Sequence, residues 1–205
     1  MISFRDLRTP EDVAQWLAGL KENWPQREEV MAHIAQQIEA LPFPDPHVVE
    51  LATGPGLLAE FLLTKLPQIT YTGLDFSELL LRVARERLEP FGTRSRLMWV
   101  DLNKDEWLAQ VPNDNQAIVS MQSLHDLGGE PQVDRIYGLA RTLLAPGGLF
   151  LNADLVTPPG QDKPDNPGRR SISRHLELLK AHGYARVACT LALGDFACVV
   201  GFAPK

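Results

Sequence analysis

The chain has 205 residues, 44% of them hydrophobic and 22% charged, and a formal net charge of -6. These values fit one globular domain large enough to bury a real core, and they exclude an intrinsically disordered chain. An acidic chain has no broad electrostatic pull toward a phosphate backbone, so a nucleic-acid partner is not expected.

The first residues, Met-Ile-Ser-Phe-Arg-Asp, lack a basic segment followed by an apolar stretch, so no signal peptide is expected. No apolar run approaches the roughly 18 residues that span a bilayer. The expectation is a cytoplasmic protein with no membrane partner. Thr9-Pro10-Glu11-Asp12 opens a predicted helix, with a hydroxyl at the cap, proline in the first turn and acids at the positive end of the dipole. Val13, Trp16, Leu17 and Leu20 share one face of it. A second helix is predicted over 26–40, with Val30, Ile34, Ile38 and Leu41 on one stripe, ended by Pro42, Pro44 and Pro46.

The texture then changes. Residues 47–51 form a β-branched run followed by Thr53-Gly54-Pro55-Gly56, and an apolar helix over 57–66 stops at Pro67. A second strand is predicted over 69–74, then a helix capped by Ser77 that ends near Gly92. Strands over 96–100 and 117–121 follow, then a helix carrying Val133, Ile136, Tyr137, Ala140 and Leu144. Pro146-Gly147-Gly148 turns into a fifth strand over 149–156.

Alternating strands and helices predict a parallel sheet covered on both faces. The end of the chain departs from that rhythm. A helix over 171–182 closes at Gly183, and strands over 184–193 and 196–203 are separated only by Gly194-Asp195, which permits only an antiparallel hairpin. Between them and the fifth strand lies an aperiodic loop, 157–170, with Pro158, Pro159, Gly160, Pro164, Pro167 and Gly168. It follows the carboxyl end of a strand, where ligands bind in such sheets, and reads equally as a substrate-covering loop or an idle link. Arg169-Arg170 is the one notable basic pair near a candidate site and is read as part of a solvated loop. Cys189 and Cys198 are too few for a disulfide framework and read as buried thiols on paired strands. No His and Cys spacing suggests a metal site.

Three signals carry chemistry. The first is the strand, loop and helix unit Glu50-Leu51-Ala52-Thr53-Gly54-Pro55-Gly56. Gly54 and Gly56 let the backbone turn sharply and approach a ligand, and the following helix points its N-terminal amides back at it. The second is Asp75, which ends the second strand about 20 residues beyond the glycines, the spacing of an acid that binds ribose hydroxyls. A carboxylate there accepts from a vicinal diol; the alternative is an acid that caps the next helix. The third is Asp101, in Val100-Asp101-Leu102, placed to accept from an exocyclic amine of adenine while the next backbone amide donates to the ring. The alternative there is a surface turn.

Together these residues resemble the class I S-adenosylmethionine-dependent methyltransferases. Residues 50–56 are similar to that family's first motif, Asp75 to its second acid, Val100-Asp101-Leu102 to its adenine-side motif, and Leu143-Leu144-Ala145-Pro146-Gly147-Gly148 to the turn before its fifth strand. The resemblance covers about residue 48 to the C-terminus. It implies a doubly wound, Rossmann-like seven-stranded sheet of order 3-2-1-4-5-7-6 with strand 7 antiparallel, here with a helical lid over 1–44 and the cofactor domain over 45–205. It implies S-adenosylmethionine as cofactor and Glu50 as a partner of the methionine ammonium. Phe76 follows the second acid and joins the expected cofactor contacts. Ala52 stands where the family has its first glycine; close approach survives there provided the backbone avoids left-handed angles.

A nicotinamide enzyme would use similar glycines and one acid but must neutralise a pyrophosphate, whereas Glu50, Asp75 and Asp101 suit a cationic ligand. The segment Ser120-Met121-Gln122-Ser123-Leu124-His125-Asp126 follows the fourth strand. By resemblance Ser120, Met121 and Gln122 line the cofactor pocket. His125 is either a general base or the start of the next helix. Trp16, Trp24 and Arg27 either touch an acceptor or, for the tryptophans, pack the helices onto the sheet. The expected activity is methyl transfer to oxygen or nitrogen of a small molecule. A non-catalytic cofactor binder and a nicotinamide-dependent oxidoreductase remain open, as does a homodimer.

Overall fold

A computed structural model describes residues 4–161 and 166–205; Pro164 lies outside them. Helices α1 (Pro10–Asn23) and α2 (Arg27–Glu39) precede β1 (His47–Leu51), α3 (Leu57–Lys65), β2 (Thr70–Asp75), α4 (Glu78–Leu88) and β3 (Ser95–Trp99). Then come β4 (Asn115–Met121), α5 (Glu130–Leu143), β5 (Leu144–Leu155), α6 (Ile172–Ala181), β6 (Ala185–Leu193) and β7 (Phe196–Phe202). The sheet has the order β3-β2-β1-β4-β5-β7-β6, with β7 antiparallel to both its neighbours. Leu193 pairs with Phe196 across the Gly194-Asp195 turn, and glycine takes the positive φ that so short a link requires.

Strand periodicity divides the core. Val48, Ala117, Val119, Leu149 and Leu151 face one layer with Ile34 and Ile38 of α2 and Leu58, Leu62 and Leu63 of α3. Their neighbours Val49, Ile118 and Phe150 face the other, with Val133, Ile136 and Tyr137 of α5 and Leu178 and Leu179 of α6. Both faces are therefore buried, as a parallel sheet requires. α2 belongs to the first layer. α1 instead packs through Val13 against Leu80 of α4, in a small cluster with Leu7. Its start is held by a capping box: Thr9 Oγ1 accepts from the Asp12 amide at 3.1 Å, and the Asp12 carboxylate accepts from the Thr9 amide at 2.8 Å.

Two sequence expectations need correction. β5 begins at Leu144, not 149, because the Pro146-Gly147-Gly148 turn is built into its start. Leu144 pairs with Asn115, and the register shifts before Ala117. Gly148 makes this possible: a Cβ there would lie 2.9 Å from the carbonyl oxygens of both Asn115 and Ala145. The second correction is Ala52, whose φ is 56°, squarely left-handed. The condition under which alanine costs nothing at this position is not met.

An L-residue held in the left-handed region costs roughly 1–2 kcal/mol, and glycine gives back roughly 0.5–1 kcal/mol of that through the entropy of the unfolded chain. Ala52→Gly should therefore raise the urea unfolding free energy by a few tenths to about 1 kcal/mol. A loss of stability would show that the alanine methyl makes packing contacts worth more than the strain.

Candidate functional site

The carboxyl ends of β1, β2 and β4 meet where the strand order reverses, the usual ligand crevice of an open α/β sheet. A cavity of about 990 Å³ opens there, roofed by α1 and the start of α2. Of the residues singled out by sequence, Glu50, Ala52, Thr53, Gly54, Asp75, Phe76, Asp101, Leu102, Met121, Gln122 and His125 line it, as do Trp16, Trp24 and Arg27. Gly56 and Ser120 do not. Gly56 is the left-handed cap of α3 and packs against Ala84, where an added Cβ would stand 3.2 Å away. Ser120 is fully buried behind the wall, 2.7 Å from the Ser123 hydroxyl and donating to the Leu51 carbonyl at 3.2 Å.

Glu50 sits at the tip of β1 with 2% of its surface exposed. The Thr53 hydroxyl donates to its Oε2 at 2.9 Å, and the Tyr71 hydroxyl donates to the same oxygen. Those two hydroxyls also lie 2.6 Å apart. With both protons spent on an ionised carboxylate, that third contact has no hydrogen to hold it; a proton on the carboxyl supplies one. Burial pushes Glu50 up to about 8, despite the two hydroxyls and the nearby Arg27 cation, which act the other way. Burial likewise lowers Arg27, and its guanidinium donates to the Gln122 side chain.

Asp75 ends β2, and its two oxygens accept from the amides of Gly54 and Ser77, each at 2.8 Å. Burial raises its proton affinity, and these amides oppose the rise. Asp75 thus ties the glycine bend to the start of α4 and still has lone pairs toward the cavity. Asp101 is half-buried beyond β3 and accepts from the Asn103 amide at 3.0 Å. Phe76, between the two acids, is 59% exposed within the described residues, a large apolar ring open to the cavity.

His125 starts no long helix. It lies in a single 3-10 turn, Leu124–Asp126, with its Nδ1 2.5 Å from Asp154 Oδ1 and its backbone amide donating to Asp154 Oδ2 at 3.0 Å. His125 lines the cavity, and its Nε2 lies 3.3 Å from Asp126 Oδ2. Burial lowers the proton affinity of His125, but the Asp154 charge outweighs it and the net direction is upward; Asp154 is held low by the same pairing against the opposing effect of burial. Asp154 escaped sequence reading, although an acid inside the apolar run of β5 signals a buried partner.

Loop 157–170 also meets the cavity. Thr157 donates to the Arg170 carbonyl at 3.1 Å, and Asn166 and Arg169 line the wall. Gly168 lies so close to the His125 turn that a Cβ would fall 2.0 Å from the His125 carbonyl oxygen. Arg169 is therefore beside the His125 turn rather than in free solvent. Arg5 and Arg8, unremarked in the sequence, also line the cavity. A shallower depression of about 350 Å³ lies at the start of α6, where Arg170 and Arg174 are both engaged by Glu130, at 2.6 and 2.7 Å. Among the described residues no cluster of potential metal ligands occurs, and no helix is long and apolar enough to cross a membrane.

Residues 49–150 match a family model described as a methyltransferase domain. The chain is 29% identical over 149 residues to trans-aconitate 2-methyltransferase of Paracidovorax citrulli, covering 72% of this chain and 52% of that protein. It is 41% identical over 68 residues to ribosomal RNA small subunit methyltransferase H of Corynebacterium glutamicum, covering 33% of this chain and 20% of that one. The chain thus spans about half the length of the first relative and a fifth of the second. Its fold is similar to the apo S-adenosylmethionine-dependent methyltransferase SibL, with TM-score 0.74 and 18% identity over 96% of this chain and 60% of that one.

The protonation of Glu50 is directly measurable. Between its ordinary value of 4.5 and the value near 8 in the fold, the folded state holds one more proton than the unfolded chain, so this group's contribution to stability falls as pH rises through that window. The thermal midpoint of Glu50→Gln should therefore gain on that of the wild type steadily from about pH 5 to about pH 8. A constant offset across this range would contradict a neutral carboxyl.

Proposed function

We infer the chemistry of this chain from its family: it belongs to the class I S-adenosylmethionine-dependent methyltransferases, with the family's domain at residues 49–150. We propose that it transfers a methyl group to oxygen or nitrogen of a small-molecule acceptor. The observation that carries this reading is the meeting of Glu50, Asp75 and Asp101 in one cavity beside the Gly54 bend. A Cβ at Gly54 would touch nothing within 4 Å, so the bend is open to a ligand. Three acids suit a ligand that carries a sulfonium and an ammonium and no phosphate.

When bound, S-adenosylmethionine supplies a methyl already activated by positive sulfur, and S-adenosylhomocysteine leaves as a neutral thioether. Asp75 would hold the ribose hydroxyls with the lone pairs its amide partners leave free. Asp101 and the Leu102 amide would hold adenine, beside Phe76. Glu50 would face the ammonium, whose charge favours the ionised carboxylate and so draws the carboxyl proton off. Arg27, which the sequence assigns to the acceptor, lies next to Glu50, and its charge suits the carboxylate of the same amino-acid group. Gly56 and Ser120 shape the wall from behind. Residues 45–205 would form the cofactor domain, and within 1–44 the covering part would be α1 with the residues before it, which join the rest through α4 and the cavity rim.

His125 would be the base. Asp154 fixes the ring, leaving Nε2 to take the proton that the acceptor atom loses as it bonds to the methyl carbon. Alignment of acceptor and methyl would supply most of the rate, up to about 7–11 kcal/mol of barrier. The helical roof would keep water out.

Asp75→Ala should weaken S-adenosylhomocysteine binding at least tenfold, about 1.4 kcal/mol, in a calorimetric titration; unchanged affinity removes Asp75 from the site. With an acceptor identified by labelled-methyl screening, kcat should rise with pH through a midpoint above the ordinary histidine value of 6.5, because the Asp154 charge stabilises the protonated His125 ring. Asp154→Asn should move that midpoint down and lower the plateau by about 10²-fold or more. A pH-independent kcat in both proteins would dismiss His125 as base.

A further inference from the structure

The acidic chain brings several cations to its cavity. Arg5, Arg8 and Arg169 all line the cavity; Arg5 pairs with Asp126, Arg169 lies close enough to His125 to lower its proton affinity, and the Asp12 carboxylate is held low by the Arg8 and Thr9 amides and in smaller part by the Arg8 charge. Asp126 is already engaged: its Oδ1 accepts from Arg5 at 2.9 Å and from the Asn166 amide group at 3.2 Å. The Arg8 guanidinium is oriented by two backbone carbonyls, those of Arg5 at 2.8 Å and Leu7 at 2.9 Å. The Nε of Arg169 is buried and has no hydrogen-bond partner among the described residues. A buried guanidinium nitrogen without an acceptor is costly, and a ligand oxygen would remove that cost. Its position is not a loop accident, because Gly168 fits against the His125 carbonyl where any side chain would collide.

The acids Glu50, Asp75 and Asp101 line the same cavity from the tips of β1 and β2 and the turn after β3. The cavity therefore carries both signs of charge, acids from those strand ends and arginines from the N-terminal residues and the loop after β5. Resting on the methyltransferase reading above, we propose that the acceptor is a small anion whose carboxylate or phosphate group is held by Arg169 and Arg8, with Arg5 shared between it and Asp126. The fork of a guanidinium matches either group in bidentate fashion. The anionic group sets the pose, and the nucleophilic atom is presented to His125. This is a local feature of the folded chain; in sequence Arg5, Arg8 and Arg169 are too far apart to read as a patch.

The test is calorimetric titration of the S-adenosylhomocysteine-saturated protein with trans-aconitate, with glycerol 3-phosphate and with glycerol. At least one anion should bind and glycerol should not, and the anion that binds identifies carboxylate or phosphate recognition. The double variant Arg8→Gln, Arg169→Gln should weaken that anion at least tenfold and keep its S-adenosylhomocysteine affinity within twofold, which also reports an intact fold. The proposal is overturned if neither anion binds the wild-type complex, if the variant binds the anion as tightly, or if the variant loses the nucleoside instead. Should S-adenosylhomocysteine fail to bind the wild type, the methyltransferase reading falls; the same anion titrations on the cofactor-free protein then decide the arginine site separately.

Discussion

A carboxylate can leave water only if donors or a cation meet it, and this fold spends much of its architecture meeting that demand at one edge. Asp75 is satisfied by the amides of Gly54 and Ser77, so one side chain locks the glycine bend to the next helix. Glu50 is met by two hydroxyls, and burial pushes its proton affinity up. Asp154, deeper still, is met by the ring and amide of His125. Each acid is thereby fixed in direction. A site built this way is preorganised: its polar groups are oriented by the chain itself, before any ligand arrives.

The fold was legible because its signals are local. Glycines after β1, an acid closing β2, and a two-residue link before β7 each mark one connection, and the first two carry the family resemblance that implied the strand order. Strand periodicity then separates Val48 from Val49 and assigns the two faces. What was not legible depends on contacts distant in sequence. Asp154 could be suspected from its apolar strand, but its partner His125 is 29 residues away in sequence. The start of β5 was misread because proline and two glycines look like a stop, and only the facing Asn115 carbonyl explains why the strand continues through them. Ala52 shows the converse error: the motif was recognised, but the angle that makes glycine the usual choice was unknown until the backbone was in view.

The candidate site divides along the same line. The cofactor-side residues lie close to their motifs, so nine of the eleven named from Glu50 to Met121 reach the cavity, and Gly56 and Ser120 act one layer behind it. The rest of the lining is assembled from the N-terminal residues, the 3-10 turn after β4 and the loop after β5. There sequence gave only His125 and a basic pair read as solvated. Arg27, at the start of α2, lines the cavity within reach of the Glu50 charge and of Gln122. Trp16 and Trp24 pack among apolar neighbours and also line the cavity.

The central claim is that one adenosyl ligand is gathered by acids from three adjacent strand ends. A crystal structure of the protein with S-adenosylhomocysteine tests it most directly. The account predicts Asp75 within hydrogen-bond distance of both ribose hydroxyls, Asp101 at the adenine amine and Glu50 on the amino-acid end. A ligand seated elsewhere, or one that leaves these carboxylates facing water, would contradict it.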